Sequence, residues 1–259
     1  MSSNKIKTGD VFQTNEGGSV IVVEYRSYRA ILVEHNDKHA CQAVVQGGAL
    51  RKGHIKNPYR KSILGVGIND SDYSTTISRK INGKKILVWK CPFYGKWLAM
   101  LSRCYSEKTL VRQKSYRGCK VCPEWHKFSV FREWMEAQDW QGKQIDKDII
   151  APGNKTYSPN TCAFVDRAVN MFLVNSSDAV GRHPLGVTWN KPRNKFLAQC
   201  NNPFNGKVEY LGHFDDPAKA HEAWRRRKHE LACTHADEQK DLRVARVLRE
   251  RFSENIYAA

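Results

Sequence analysis

Asp146 and Asp148 flank a lysine in the stretch GKQIDKDIIAPGNKTYSPNTCAFVD, which begins at Gly142. A Gly-Asn loop and a Ser-Pro step follow the two carboxylates before the chain turns apolar again. Carboxylate oxygens are the ligands that a hard cation such as Mg²⁺ accepts. The residues alone leave two interpretations open: the hairpin of a metal-dependent hydrolytic site, or an exposed turn between two buried segments.

The charge of the chain indicates what such a site would act on. The sequence has 43 Lys and Arg against 26 Asp and Glu, a net charge of +17 over 259 residues. A basic excess favours polyanions, because each phosphate that is neutralised releases condensed counterions. We therefore expect a nucleic-acid partner, with a merely soluble basic protein as the alternative.

Length and hydropathy limit the class of protein. A chain of this length suggests one to three domains, and we expect three small ones. No apolar run approaches the ~18 residues that cross a bilayer. The amino terminus MSSNKIKTGD lacks the apolar core of a secretory signal. We expect a soluble, cytoplasmic protein with no membrane partner.

Short strand-like segments dominate residues 1–66. Alternating or clustered β-branched and aromatic residues predict three strands, Lys7–Thr14, Ser19–Tyr25 and Ala30–Glu34. We interpret this part as a small β-barrel or sheet. Residues 67–88 are polar and predict a linker, or a loose hairpin around Asn82-Gly83.

In residues 89–178 the apolar residues recur at the spacing of a helix. One helical face repeats at i, i+3, i+4 and i+7 and comprises Trp97, Met100, Leu101 and Cys104. A second helix is predicted over Pro123–Ala137, because proline suits the first turn. The apolar run from Cys162 to Val174 predicts a further helix of about three turns.

The last part of the chain has the most regular pattern. Residues 185–234 predict three strands, which are Leu185–Asn190, Lys195–Asn201 and Lys207–Gly212. A helix follows them and is capped by Asp215-Asp216-Pro217, because Asp accepts from free N–H groups and Pro suits the first turn. Residues 235–259 predict a terminal amphipathic helix.

The segment GVTWNKPRNKFLAQC…YLGHFDDPAKAHEAW resembles the ethylene-response-factor type of DNA-binding domain, over about Leu185 to Leu231. That family occurs in plants and attached to phage and mobile-element nucleases, and its three-stranded sheet enters the major groove of duplex DNA. The geometry of a strand supports a binding face independently, since alternate residues point to one side of a sheet. Amides on that face can read adenine edges, and basic residues at the turns suit phosphate. The expected DNA-binding residues are Thr188, Asn190, Lys191, Arg193, Lys195, Gln199, Asn201, Lys207 and Tyr210.

The runs YGKWLAMLSRCY, VCPEWHKFSVFREW and IDKDIIAPGNKTYSPNTCAFV resemble phage proteins of the HNH homing-endonuclease type, over about Cys91 to Val174. The resemblance implies a ββα domain that hydrolyses DNA phosphodiesters around one Mg²⁺ or Mn²⁺. It also implies a phage-type chain that acts in the host cytoplasm. The expected architecture is α+β: a small N-terminal β-barrel, a central ββα domain, and a C-terminal three-stranded sheet plus helix.

The resemblance assigns roles to individual residues. Asp146 is expected to bind the metal ion from the first strand. Asn160, or its neighbour Thr161, is expected to bind it from the start of the helix. Asn154 lies in the loop, where the family's central Asn stabilises the hairpin.

The position of the catalytic base departs from the family pattern. Lys147 stands where an active member carries histidine. A lysine of ordinary pKa is protonated at pH 7, so it is better suited to attracting a phosphate than to abstracting a proton. Asp148 completes the Asp-Lys-Asp element, and His126 on the preceding helix is a candidate substitute base. Two other functions therefore stay open: a DNA-binding regulator whose nuclease fold has lost its base, and a phage protein that binds a host enzyme.

Eight cysteines without an export signal favour free thiols or metal ligands over disulfides. Cys119-x-x-Cys122 has ligand spacing, and Cys91, Cys104 and Cys162 are candidates to complete a tetrahedral zinc site. Cys104 and Cys162 also lie on apolar faces, where a buried thiol packs as a small hydrophobe. We prefer the packing interpretation.

Overall fold

The structure is a computed structural model that describes residues 5–173 and 182–253. It confirms a mixed α+β fold with several small sheets. The chain divides into two compact units, Met1–Ser106 with Pro123–Arg132, and Glu107–Cys122 with Glu133–Ala259. Among the helices of the described ranges, none combines the length and apolar character that crossing a membrane requires.

The first unit begins with an antiparallel sheet in the strand order β1-β2-β3-β4. Its elements are β1 (Val11–Gln13), β2 (Ser19–Ser27), β3 (Ala30–His35), β4 (Gln42–Val45) and the short helix α1 (Gly47–Arg51). Three strands were predicted, and β4 was missed. The expected barrel is wrong, because β1 and β4 are edge strands that pair with no further strand among the described residues, and four strands of this length are too few to close.

A separate hairpin follows, formed by β5 (Thr76–Ile81) and β6 (Lys84–Lys90). Residues 67–88 were predicted to form a linker or a hairpin, and the hairpin prediction is confirmed from Thr76 onward. Asn82 and Gly83 have φ angles of 51° and 77°. A two-residue hairpin turn requires this left-handed backbone, which Asn and Gly adopt at low cost.

The predicted helical face of the first unit is buried as expected. Trp97 and Met100 of α2 (Pro92–Tyr105) are fully buried, and the Trp97 indole Nε1 donates to the Trp125 carbonyl at 2.7 Å. The predicted second helix is interrupted. A short 3-10 helix ends at His126, and a separate helix, α4 (Phe128–Glu136), begins two residues later. Ile68 causes the break, because its backbone bonds to the His126 carbonyl and the Phe128 N–H.

The second unit contains α3 (Glu107–Arg112) and two short strand pairs. β7 (Lys120–Val121) pairs with β9 (Thr156–Tyr157), and β8 (Gln144–Asp146) pairs with β10 (Ala163–Val165), which precedes α5 (Arg167–Leu173). β8, β10 and α5 form a ββα element. The helix predicted from Cys162 is therefore wrong at its start, where the chain forms β10. Residues 174–178 of the predicted domain lie outside the described residues.

The C-terminal sheet has the predicted strands in the order β11-β12-β13. Its elements are β11 (Val187–Asn190), β12 (Lys195–Asn201) and β13 (Val208–Phe214), followed by α6 (Pro217–Asp237) and α7 (Leu242–Glu250). The Asp216 carboxylate accepts from the Ala218 N–H at 2.8 Å, which confirms the predicted helix cap. Of the predicted terminal helix, residues 254–259 lie outside the described part of the chain.

One apolar core joins the ββα element to the helices behind the C-terminal sheet. Side chains from α5, α6 and α7 and from β10 pack together in it, including Val165, Val169, Phe172, Leu231, Ala236, Val244 and Leu248. Burial of several such side chains contributes about 1.5–3 kcal/mol each. The ββα element and the sheet are thus parts of one folded unit.

Candidate functional site

Asp146 is the last residue of β8 and faces Ala163 across the strand pair. Its Oδ1 accepts from the backbone N–H groups of Asp148 and Ile149, both at 2.7 Å. These two bonds fix the carboxylate at the strand end. Its second oxygen, Oδ2, has no hydrogen-bond partner among the described residues. One carboxylate oxygen is therefore held in place and remains available to a ligand.

Lys147 points into the protein and is only 5% exposed. Its Nζ lies 2.7 and 2.6 Å from the two carboxylate oxygens of Asp148 and 2.7 Å from the carbonyl of Asn154. An ammonium has three donors, and these acceptors occupy all of them. In this arrangement Lys147 holds the loop together. Asp148 is likewise committed to Lys147.

Asn154 braces the loop with its side-chain amide. Its Nδ2 donates to the carbonyls of Lys147 and Thr156 at 3.0 and 2.6 Å, and its Oδ1 accepts from the Thr156 N–H at 3.0 Å. The side chain thus links the segment after β8 to β9. This makes it a positioning residue for the loop.

Asn160 does not lie at the start of a helix, so that expected placement is wrong. It occupies an exposed turn in which the hydroxyls of Ser158 and Thr161 meet at 2.8 Å and the Cys162 N–H donates to the Ser158 carbonyl. Strand β10 separates this turn from α5. The amide that α5 does carry is Asn170, whose Nδ2 contacts Gln144 Oε1 of β8 at 3.4 Å. The sequence signal that could have identified Asn170 is that it is the one polar residue in the apolar run AVNMFL.

Arg243 of α7 fastens the turn that holds Asn160. Its Nη1 and Nη2 donate to the carbonyls of Pro159 and Cys162 at 3.1 and 3.2 Å, while Asp241 pairs with the same guanidinium at 2.7 Å. The charged side of an amphipathic helix usually faces solvent. The long-range contact joins residues 81 positions apart, which local patterning does not reveal.

His126 belongs to the first unit, where its Nε2 meets the Tyr105 hydroxyl at 3.4 Å. The candidate zinc ligands are divided between the units: Cys91 and Cys104 are in the first, and Cys119, Cys122 and Cys162 are in the second. All five are buried, and burial raises the pKa of Cys162 to about 12. In the described ranges no three His, Cys, Asp or Glu side chains converge on a metal position, so the zinc prediction gains no support.

The strand register sets which residues share the outer face of the C-terminal sheet. Thr188 pairs with Leu197, Gln199 pairs with Tyr210, and Asn190 pairs with Lys195. Directly opposed residues point to the same side, and alternation along β12 adds Asn201. Leu197 and His213 are also on this face. The inner face carries Val187, Ala198 and Cys200, which are buried. The polar residues predicted to share a face therefore do so, although a β-bulge follows Ala198.

Most of the predicted interface residues are exposed, and three of them have internal partners. Asn190 Oδ1 accepts from the Arg193 N–H at 3.2 Å and caps the turn, while Lys195 pairs with Asp215 at 3.2 Å. Tyr210 is 61% exposed, and its hydroxyl meets His213 Nδ1 at 2.7 Å. The side chains of Thr188, Lys191, Arg193, Gln199, Asn201 and Lys207 have no hydrogen bond or ion pair within the described chain.

A charged contact fixes the sheet on its helix. Arg227 of α6 donates to Glu209 of β13 at 2.6 and 3.1 Å, and Asn202 donates to the same carboxylate at 2.7 Å. The bonds from Arg227 and then from Asn202 lower the pKa of Glu209 to about 2. The carboxylate therefore stays ionised, and the pair holds the inner side of the sheet while the outer face remains exposed.

The second unit thus offers a fixed carboxylate with one open oxygen and an exposed polar sheet face with basic turns. Both features follow from hydrogen bonds and strand register within the chain itself. No protein-family model matches the chain, and neither a curated protein nor a solved structure matches it.

Proposed function

We propose that the chain binds duplex DNA through the outer face of β11–β13 and hydrolyses a phosphodiester at Asp146, as an HNH-type endonuclease. The observation that carries this proposal is the register of the C-terminal sheet, which places polar side chains on one exposed face. Unpaired amides are costly in a core but useful against base edges in a groove. The net charge of +17 supports a polyanionic partner.

The interface divides into phosphate-binding and base-reading residues. Lys191, Arg193 and Lys207 lie on the turns and at a strand start, where exposed cations reach the backbone of DNA. Gln199 and Asn201 lie on the central strand β12. Bidentate amides discriminate bases by about 1–3 kcal/mol each. This division favours site-selective binding over purely electrostatic attraction.

The hydrolytic site fits a hard cation better than zinc. Mg²⁺ keeps several waters and binds one or two protein carboxylates together with substrate phosphate, so a single open oxygen on Asp146 is a sufficient protein ligand. A bound cation there would polarise the phosphate and acidify a water molecule. Asn154 and Lys147 hold the loop, and Arg243 holds the opposing turn, so that Asp146 stays at a fixed strand end.

A second candidate function is a DNA-binding regulator without hydrolytic activity. The burial of Lys147 favours it, because the family's base position is filled by an ammonium whose donors are all used. Residues 144–173, from β8 to the end of α5, also contain no histidine. Both functions share the DNA-binding face and differ only in cutting.

Selection of bound sequences from a random duplex library tests the shared face. We expect the chain to recover a preferred site, and Gln199→Ala with Asn201→Ala to lose preference at one or two positions by about 10- to 100-fold each. The matched control, Gln13→Ala with Gln113→Ala, removes two exposed amides outside the face. Recovery of an unchanged site by the Gln199/Asn201 variant would show that the sheet does not read DNA.

A further inference from the structure

The hairpin of β5 and β6, residues 76–90, is exposed along its whole length and is here called the ribbon. Its two strands pair with each other and with no other described strand. An isolated two-stranded hairpin is only marginally stable in water. An element of this kind gains stability when it binds a partner, so its side chains indicate which partner that is.

The ribbon lies in a part of the chain without negative charge. Residues 73–106 contain no Asp or Glu and seven basic residues: Arg79, Lys80, Lys84, Lys85, Lys90, Lys96 and Arg103. The side chains of Arg79, Lys80, Lys84 and Lys85 form no ion pair with any described residue. Ion pairs within the described chain therefore do not explain why these four cations are present.

The register brings two of the cations together. Lys80 lies directly opposite Lys85, and Lys90 lies opposite Thr76, which shares the face of Lys80 by alternation. Like charges directly opposed across a strand pair destabilise it. A row of phosphates between the lysines would remove the repulsion. A protein surface would need a matching set of carboxylates to do the same.

We propose that the ribbon is a second DNA-binding element, which enters a groove of duplex DNA with Lys80 and Lys85 against the phosphate backbone. The major groove, about 12 Å wide, admits a two-stranded β-ribbon. This inference rests on the proposed DNA binding and adds a contact outside the C-terminal sheet. Two attachment points in one chain raise affinity through effective concentration.

The salt dependence of binding measures the ribbon's phosphate contacts. The probe is a fluorescent mixed-sequence duplex, and the full chain is compared with the Lys80→Ala/Lys85→Ala variant between about 50 and 300 mM salt. We expect the slope of log affinity against log salt to fall by about 1.8, and binding to weaken by about 10- to 100-fold at low salt. Lys38→Ala/Lys52→Ala removes two exposed lysines of the first unit and serves as the charge-matched control.

A single charge reversal separates binding from folding. Lys80→Glu places a carboxylate opposite Lys85, which replaces a repulsive pair with an attractive one. We expect its thermal midpoint to equal or exceed that of the unaltered chain, while its affinity for the duplex falls. Weaker binding therefore would not reflect loss of the hairpin.

The outcomes distinguish the ribbon from the proposed function. If the unaltered chain binds duplex DNA and Lys80→Ala/Lys85→Ala weakens binding no more than the control does, the ribbon does not bind DNA and the C-terminal face alone accounts for affinity. If the unaltered chain binds no duplex even at low salt, both proposals fail. A selective loss in the ribbon variants supports the second DNA-binding element.

Discussion

Asp146→Asn is expected to slow DNA cutting by about 100-fold or more while leaving the fold intact, a loss of about 3 kcal/mol of transition-state stabilisation. The asparagine retains an oxygen that can accept from the backbone N–H groups of Asp148 and Ile149, as Oδ1 does now. It removes the negative charge that a divalent cation requires. Conversion of supercoiled plasmid to nicked or linear DNA, with Mg²⁺ or Mn²⁺, measures the effect.

The matched variant for this experiment is Asp146→Ala, which also removes the two hydrogen bonds. It should lose the same activity and about 1–3 kcal/mol of stability as well. Cutting by Asp146→Asn at the unaltered rate would exclude Asp146 as the metal ligand. DNA binding without any cutting by the unaltered chain, under either metal, would favour the regulator.

Gly186→Ala is expected to destabilise the second unit by about 3 kcal/mol or more. Gly186 has a φ of +76°, and a Cβ built there would lie 2.0 Å from Cδ1 of Trp224. The indole is stacked on His221, whose Nδ1 contacts the Leu185 carbonyl at 2.9 Å. The clash therefore falls where the start of β11 meets α6. Urea unfolding followed by circular dichroism measures the loss.

Gly206→Ala separates backbone strain from the clash. Gly206 has a φ of +67°, but a Cβ there meets no heavy atom within 4 Å. Its replacement should cost only about 1–2 kcal/mol, the penalty of left-handed backbone for an L-residue. Equal losses for the two variants would contradict the close packing of Gly186 against Trp224. Adding Trp224→Ala to Gly186→Ala should relieve the clash.

The C-terminal sheet was predictable because its local signals agree. Period-2 alternation in β11 and β12, turn residues between the strands and Asp216 before Pro217 all point to the same elements. Residues that pair across neighbouring strands point to the same side of a sheet, and alternate residues of one strand do so as well. The alternation of the strands therefore predicted most of the polar residues on the outer face. The bulge after Ala198 was not predictable, and it shifts the register so that Gln199 pairs with Tyr210 instead of Leu211.

The ββα element was predictable only in part. The run AFV in β10 is buried on both sides, and a short apolar run of this kind has the same pattern in a strand as in a buried helix. Assigning it to a helix moved the expected helix start and misplaced Asn160. The strand becomes evident from its pairing with β8, a contact between distant parts of the sequence.

Lys147 shows why charge alone does not predict exposure. An Asp-Lys-Asp sequence suggests solvated side chains, yet the ammonium is buried because Asp148 and the Asn154 carbonyl surround it. A buried cation needs such partners, and removal of the Asp148 carboxylate would leave the ammonium charge unpaired. The interrupted second helix has a similar origin, since the backbone of Ile68 takes the hydrogen bonds at the break.

A crystal structure of the chain on its selected duplex, grown with Ca²⁺ in place of Mg²⁺ to prevent cutting, tests the central claim most directly. We expect the outer face of β11–β13 to lie in the major groove, with Gln199 and Asn201 at base edges. We also expect a cation about 2.4 Å from Asp146 Oδ2 that contacts a backbone phosphate. DNA bound elsewhere, with this sheet face in solvent and no cation at Asp146, would contradict both the interface and the hydrolytic site.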